Sequence, residues 1–123
     1  MSGVRVVLAD DASDVRVLLR TMLEAEGRFQ VVGEAGNGAE AIDVVAETNP
    51  DIVVLDLSMP VMDGLQAIPG IREKSPDTKI LILSGFVSPE VRSEVLNAGA
   101  DACVEKGLRV AGLIDELARL ASA

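Results

Sequence analysis

Histidine, tryptophan and tyrosine are absent from these 123 residues, and two phenylalanines are the only aromatics. Hydrophobic residues still make up 49% of the chain, so the core has to be packed from aliphatic side chains, which suits helices laid against a parallel sheet. With no histidine and one cysteine, Cys103, a metal site built on nitrogen and sulfur ligands is excluded, and so is an internal disulfide. Cations are scarce: 11 Lys and Arg against 20 Asp and Glu leave a net charge of −9. The clustered basic footprint that phosphate contacts require is missing, so direct nucleic-acid binding is not expected, whereas an acidic site or a basic partner is. No apolar run approaches the roughly 20 residues that cross a bilayer. The first residues lack the basic lead and apolar stretch of a secretory signal, and no lipidation motif ends the sequence. A cytoplasmic protein without membrane contact is the expectation.

What is present is a regular alternation. No stretch rich in proline, serine or charge divides the chain, so residues 1–123 read as one domain. Apolar runs of strand length recur at 5–10 (RVVLAD), 29–34 (FQVVGE), 51–56 (DIVVLD), 79–84 (KILILS) and 101–106 (DACVEK). Segments of helical spacing separate them. The first has Ser13 or Asp14 as its cap, apolar positions Val15, Leu18, Leu19, Met22 and Leu23, and Gly27 as its stop. The second starts at Asn37, with Glu40 returning the capping bond, and Pro50 forbids its continuation. In the third, after Asp63-Gly64, Pro69-Gly70 predicts a kink or short break, because an interior proline costs about 3 kcal/mol. Ser88-Pro89-Glu90 opens a fourth, running through Val91, Val95 and Leu96 to Gly99. The fifth, from about Arg109 to Leu120, places Val110, Leu113, Ile114, Leu117 and Leu120 on one face. Five strands alternating with five helices over short connections predict an α/β, doubly wound parallel sheet covered on both faces. Function in such sheets sits beyond the carboxyl ends of the strands.

Those ends carry an unusual set. The first run ends in Asp10-Asp11, the third in Asp56, the fourth in Ser84 and the fifth in Lys106. Each has an ordinary reading, since an Asp after a strand often caps a helix, a Lys there is usually solvated, and Ser often ends strands. Independent accidents would rarely place all five at the proper ends. Two carboxylates about 5 Å apart repel by roughly 3 kcal/mol at an effective dielectric near 20, so a triad of them calls for a cation. Mg²⁺ is the natural candidate, because it takes oxygen ligands and commonly binds through one or two carboxylates plus a phosphate. The chemistry that fits is phosphoryl transfer to Asp56, with Lys106 as a second cation and Ser84 as a hydrogen-bond donor.

With VVLADD, VVLDLSMPVMDG, LILSG and ADACVEKG in this order and spacing, the chain resembles the receiver domain of two-component response regulators over essentially its whole length. The resemblance implies a flavodoxin-like strand order 2-1-3-4-5. It implies Asp56 as the phosphoacceptor, Asp11 as a direct Mg²⁺ ligand, Asp10 as an acid acting directly or through water, and the Ser58 backbone carbonyl as a further ligand. Ser84 would be the switch hydroxyl and Lys106 the phosphate partner. A sensor histidine kinase or phosphotransfer protein would supply the phosphoryl group. The response would appear on the face of the fourth helix, fifth strand and fifth helix, toward an effector domain, a partner protein or a second copy in a homodimer. DLSMP and GEAGNG look most like the subfamily whose receivers precede a helix-turn-helix DNA-binding domain; no such domain is present here, in keeping with an excised fragment of a transcription regulator.

The chain departs from the family pattern in places. Where many receivers carry Tyr or Phe three positions before the lysine, this one has Cys103, for which core filler is the plain reading; Phe86 is the remaining aromatic candidate for a response to phosphorylation. Gly107 stands where proline is common, which predicts a looser loop. Ser58 and Phe86 occupy positions that influence attack by water, and neither orients a water well, so self-dephosphorylation is expected to be slow and the chain is not expected to be an enzyme otherwise. Other readings are a phosphorylation-independent interaction module, suggested by Cys103, Gly107 and the interrupted third helix, and an aspartyl-phosphate hydrolase, against which stands Ser58 in place of a second Asp. A nucleotide-binding protein would need a glycine-rich phosphate loop after the first strand, and none is there.

Overall fold

Near-continuous aliphatic runs such as Ile52–Leu55 give a strand two buried faces, which only a sheet covered on both sides can satisfy. The structure, a computed structural model, describes residues 3–107 and 110–122. Its elements follow the order β1 (Val4–Ala9), α1 (Ser13–Glu26), β2 (Phe29–Ala35), α2 (Gly38–Thr48), β3 (Ile52–Leu55), α3 (Gly64–Lys74), β4 (Lys79–Ser84), α4 (Pro89–Ala98), β5 (Ala102–Glu105) and α5 (Val110–Ser122). The strands form one parallel sheet in the order β2-β1-β3-β4-β5. Val6, Leu8, Ile52, Val54, Leu81, Leu83 and Val104 bury against α1 and α5. Their neighbours Val7, Ala9, Val53, Leu55, Ile80, Ile82 and Cys103 bury on the other side with residues of α2, α3 and α4. Cys103 is thus core filler, as expected, and burial pushes its thiol up, away from a reactive thiolate.

Several local expectations need correction. Neither Ser13 nor Asp14 caps α1: the N-cap is Ala12, which has no side chain able to bond, and Ser13 already lies in the helix. The turn before it is held instead by Asp10, whose Oδ1 accepts the Ala12 N–H at 3.0 Å. Asn37 does cap α2, accepting from Glu40 N, but Glu40 returns its bond to Gly36 N at 2.8 Å, one residue earlier than expected. Leu18 and Leu96 face solvent rather than the core.

The predicted break at Pro69 is absent, and α3 runs unbroken from Gly64 to Lys74. Pro69 is on the exposed side, while Ala67, Ile68 and Ile71 are fully buried. Burying two isoleucines contributes about 1.5–3 kcal/mol each, enough to outweigh one interior proline. Gly70 has a packing reason to be glycine, since a Cβ there would come within 2.5 Å of Ile42 in α2. An Asp63–Gln66 capping box, with both bonds formed, adds to the helix start. The fourth helix is capped by Ser88 with Pro89 in the first turn, as expected. In α5 the apolar face of Leu113, Ile114, Leu117 and Leu120 is buried, while Arg109 and the side chain of Val110 lie outside the described residues, as does most of the loop that Gly107 opens.

Candidate functional site

Strand order reverses between β1 and β3: the chain leaves β1 toward β2 on one side, then crosses to the other. Loops diverge at such a point and leave a crevice beyond the carboxyl ends. Asp10 follows the last residue of β1 and Asp56 the last of β3, and the Asp56 N–H donates to the Ala9 carbonyl at 2.9 Å, so the two acids are set side by side by the sheet itself. Asp10, Asp11 and Asp56 offer carboxylate oxygens that all lie within 4.8 Å of one another. Asp10 and Asp56 are buried and Asp11 is exposed.

Lys106 follows β5 and reaches across this cluster. Its Nζ donates to Asp10 Oδ2 at 2.8 Å and to Asp56 Oδ2 at 3.1 Å. The reach depends on Ser84, the last residue of β4, whose carbonyl accepts the Lys106 N–H at 2.7 Å. Ser84 itself is buried, and among the described residues its hydroxyl makes no bond to Asp56. Ser58 lies on the opposite rim, where its N–H donates to Asp56 Oδ1 at 3.3 Å. All six residues expected at the site are therefore gathered at one end of the sheet. Phe86, 78% exposed, stands on the loop after β4.

Burial is the main influence on Asp56 and pushes its carboxyl up; Asp10 adds to the rise, and the Lys106 ion pair and the Ser58 N–H offset only part of it. Burial would lower Lys106, but its bonds to Asp10 and Asp56 outweigh that and raise it. One ammonium thus serves two buried carboxylates, with a third carboxylate nearby. The donor set is all oxygen and net negative, and Asp11 has no hydrogen-bond partner for its carboxylate among the described residues, so the cluster suits a hard divalent cation better than a softer one.

The backbone is shaped for this crevice. Gly64 opens α3 directly against Asp56, and a Cβ there would lie 2.2 Å from the Asp56 carbonyl oxygen. The intervening loop contains Val61 at φ +68°, 86% exposed, in a three-residue turn closed by Met62 N–H to the Pro60 carbonyl at 2.7 Å. Behind Asp10, Arg16 of α1 donates to the Asp10 carbonyl at 2.6 Å and to Glu34 Oε1 at 2.9 Å. Sequence reasoning passed over Arg16, although Arg16 and Arg20 at a four-residue spacing, opposite an acid in a neighbouring strand, were a readable signal.

The family model for the response regulator receiver domain matches residues 6–118. A transcriptional regulatory protein of Bacillus subtilis, YhcZ, is 45% identical over 98 residues, 80% of this chain and 46% of its own length, so the chain spans about half of that regulator. The chemotaxis protein CheY of Thermotoga maritima is 35% identical over 94% of this chain and 95% of its own length. Among solved structures, the signal receiver domain of the response regulator NarL from Mycobacterium tuberculosis superposes with a TM-score of 0.94 at 30% identity, covering 100% of this chain and 99% of that one. Sheet order, crevice and sequence agree, and the chain belongs to the response regulator receiver domains of two-component systems.

Proposed function

We propose that Asp56 accepts a phosphoryl group in an Mg²⁺-dependent reaction and that the chain works as a switch. The observation that carries this reading is the placement of Lys106 Nζ between Asp10 and Asp56, with Asp11 beside them. Asp10, Asp11, Asp56 and the Ser58 carbonyl would hold the ion, which supplies neutralisation of phosphoryl oxygen charge when bound. An Asp56 carboxylate oxygen attacks phosphorus in line, forming the P–O bond as the bond to the donor breaks and the donor leaves with the electron pair. Lys106 then exchanges a carboxylate oxygen for a phosphoryl oxygen, and Ser84 donates its hydroxyl to another. The donor is a phosphorylated histidine on a sensor kinase or phosphotransfer protein.

The output runs through β5. Val87 N–H donates to Glu105 Oε1 at 3.2 Å and Arg92 Nη1 to the Cys103 carbonyl at 2.7 Å, so the loop after β4 and helix α4 are tied to the strand that carries Lys106. A shift of Ser84 and Lys106 toward a phosphoryl group would move those ties and re-form the α4, β5 and α5 face for an attached effector domain, a partner or a second copy. With Ser58 and Phe86 at the two positions that influence attack by water, neither suited to orienting one, hydrolysis of the phosphorylated form is slow. The chain as a whole, residues 1–123, is the phosphoacceptor module, in a cytoplasmic regulator of transcription. The reading as a phosphate-independent interaction module has lost one of its three supports, since α3 is unbroken.

The test is incubation with acetyl phosphate and Mg²⁺, following intact mass beside Asp56→Asn and an EDTA control. One added phosphoryl mass on the wild type alone, only with Mg²⁺ and decaying over minutes or longer, is the expected result. No Mg²⁺ binding and no added mass, from acetyl phosphate or from a phosphorylated kinase, would leave the interaction module as the better account.

A further inference from the structure

The first strand leaves one backbone group unclaimed just where the acids begin. Asp10 N–H donates to the Ala35 carbonyl at 3.0 Å and the Ala9 carbonyl accepts from Asp56, after which the sheet has no partner for the Asp10 carbonyl. That carbonyl belongs to the peptide unit joining Asp10 to Asp11, and its plane sets where Asp11 projects. Arg16 Nη1 takes it at 2.6 Å. The guanidinium is itself held: Nε donates to Glu34 Oε1 at 2.9 Å, and Glu34 is anchored by Arg20, whose Nη2 lies 2.7 Å from Oε2. Burial would raise Glu34, but the bonds from Arg20 and Arg16 outweigh it and keep the carboxyl ionised.

Resting on the Mg²⁺ reading above, we propose that Arg16, oriented by Glu34, is a positioning residue for the metal site: it locks the Asp10–Asp11 peptide so that Asp11 meets the ion without reorganisation. Groups behind a metal ligand commonly matter to affinity about as much as a weak ligand does, at about 10–100-fold. The contribution is separable from a simple field effect because the two have opposite signs. A guanidinium near a cation site repels the ion, so removing its charge alone would tighten binding. Removing the lock loosens it. Lysine keeps the charge but, with one ammonium, cannot replace a planar fork that spans Glu34 and the Asp10 carbonyl.

Calorimetric titration with Mg²⁺ alone decides the matter, on the wild type, Arg16→Met, Arg16→Lys and the double variant Arg16→Met with Glu34→Ala, each shown to be folded by thermal unfolding. Arg16→Met should weaken Mg²⁺ about tenfold, Arg16→Lys should weaken it at least as much, since it keeps the repelling charge without the fork, and the double variant should match Arg16→Met, because Glu34 acts only through Arg16. At saturating Mg²⁺ the phosphorylation rate of Arg16→Met with acetyl phosphate should return to that of wild type. Equal or tighter Mg²⁺ binding by Arg16→Met, or a double variant restored to wild-type affinity, would overturn the proposal while leaving the site itself standing. If Arg16→Met does not fold, unchanged affinity in Arg16→Lys overturns it equally. A wild type that binds no Mg²⁺ removes the site reading and this inference together.

Discussion

The two ends of the sheet are built on opposite principles. At the carboxyl end, three carboxylates meet, Lys106 serves two buried ones, and a valine sits in a left-handed turn. At the amino end, Arg72 from the last turn of α3 donates to the carbonyls of Gly99, Thr78 and Pro76 and to Asp101 Oδ2, which also accepts the Ile80 N–H. Beside it, Thr78 Oγ1 donates to the Pro50 carbonyl at 2.8 Å, and Ser75 bridges Thr78 and Asn49. Like charges and a β-branched residue at positive φ gather at one end; at the other, the residue at positive φ is Asn49, a type that tolerates it, and the Ser75, Thr78 and Asp101 side chains all have partners. A fold with only about 5–15 kcal/mol of net stability can keep an unfavourable acid cluster only if the rest is well satisfied.

Breaking the quiet end should therefore cost stability and leave chemistry alone. Arg72→Met leaves the Asp101 carboxylate without its counter-charge, held only by the Ile80 N–H, and strands the carbonyls of Gly99 and Thr78, so about 3 kcal/mol of stability should be lost in denaturant unfolding. Its Mg²⁺ affinity should match wild type. Gly64→Ala sharpens the contrast from the other side. Its Cβ would collide with the Asp56 carbonyl, a backbone atom that no rotamer change can move aside. About 2–3 kcal/mol should be lost, and here the rate of phosphorylation by acetyl phosphate should fall as well. If both variants lose activity in proportion to stability, the two ends are not independent.

The difference between the ends also explains what the sequence made readable. The acid end was legible because side-chain types at strand ends carry it: Asp10, Asp11, Asp56, Ser84 and Lys106 needed only a correct count of strands. Helix starts were legible where a side chain does the capping, as at Asn37 and Ser88, and misread at α1, where the cap residue is Ala12 and Asp10 makes the turn from before it. Pro69 was misjudged because local propensity was weighed without the two isoleucines that α3 buries. The amino-end network stayed hidden, because Arg72 bonds mostly to carbonyls, which have no sequence signature, across 27 residues to Gly99. For Arg16 the pairing with Glu34 was readable from the spacing of Arg16 and Arg20, and only its second target, the Asp10 carbonyl, was hidden in the same way.

Easing the acid end should show the reverse of Arg72→Met. Asp56→Asn removes one buried charge from the cluster and leaves Lys106 its bond to Asp10, so the variant should lose phosphoryl acceptance and gain about 1 kcal/mol. Asp56 binds its proton more tightly folded than unfolded, since its pKa is raised. Its contribution is thus favourable in acid and is lost as pH rises from the ordinary carboxylate range through the raised value. Glu34 is lowered, with the opposite slope, so the Asp56 part is read from the difference between wild-type and variant stability across that range. The gain in Asp56→Asn should grow with pH and then level off. A flat difference would mean that Lys106 fully balances the charge.

The smallest effect is expected at Val61, the strained member of the same end. A β-branched residue at positive φ costs about 1–2 kcal/mol, and Val61 regains none of it by packing, because its side chain stands in solvent. The turn persists because its neighbours dictate it: Met62 O accepts the Gly38 N–H at 2.7 Å, and Gly64 N–H donates to the Leu57 carbonyl at 3.1 Å, pinning the loop from both sides. Asparagine tolerates this region, so Val61→Asn should raise stability by up to about 1 kcal/mol with Mg²⁺ affinity unchanged. Val61→Gly should gain less, since glycine adds freedom to the unfolded chain. That ordering, Asn above Gly above Val, is what a purely conformational cost requires. If both variants instead melt at the wild-type temperature, the turn carries no strain, and the disfavoured character of the carboxyl end rests on its charges alone.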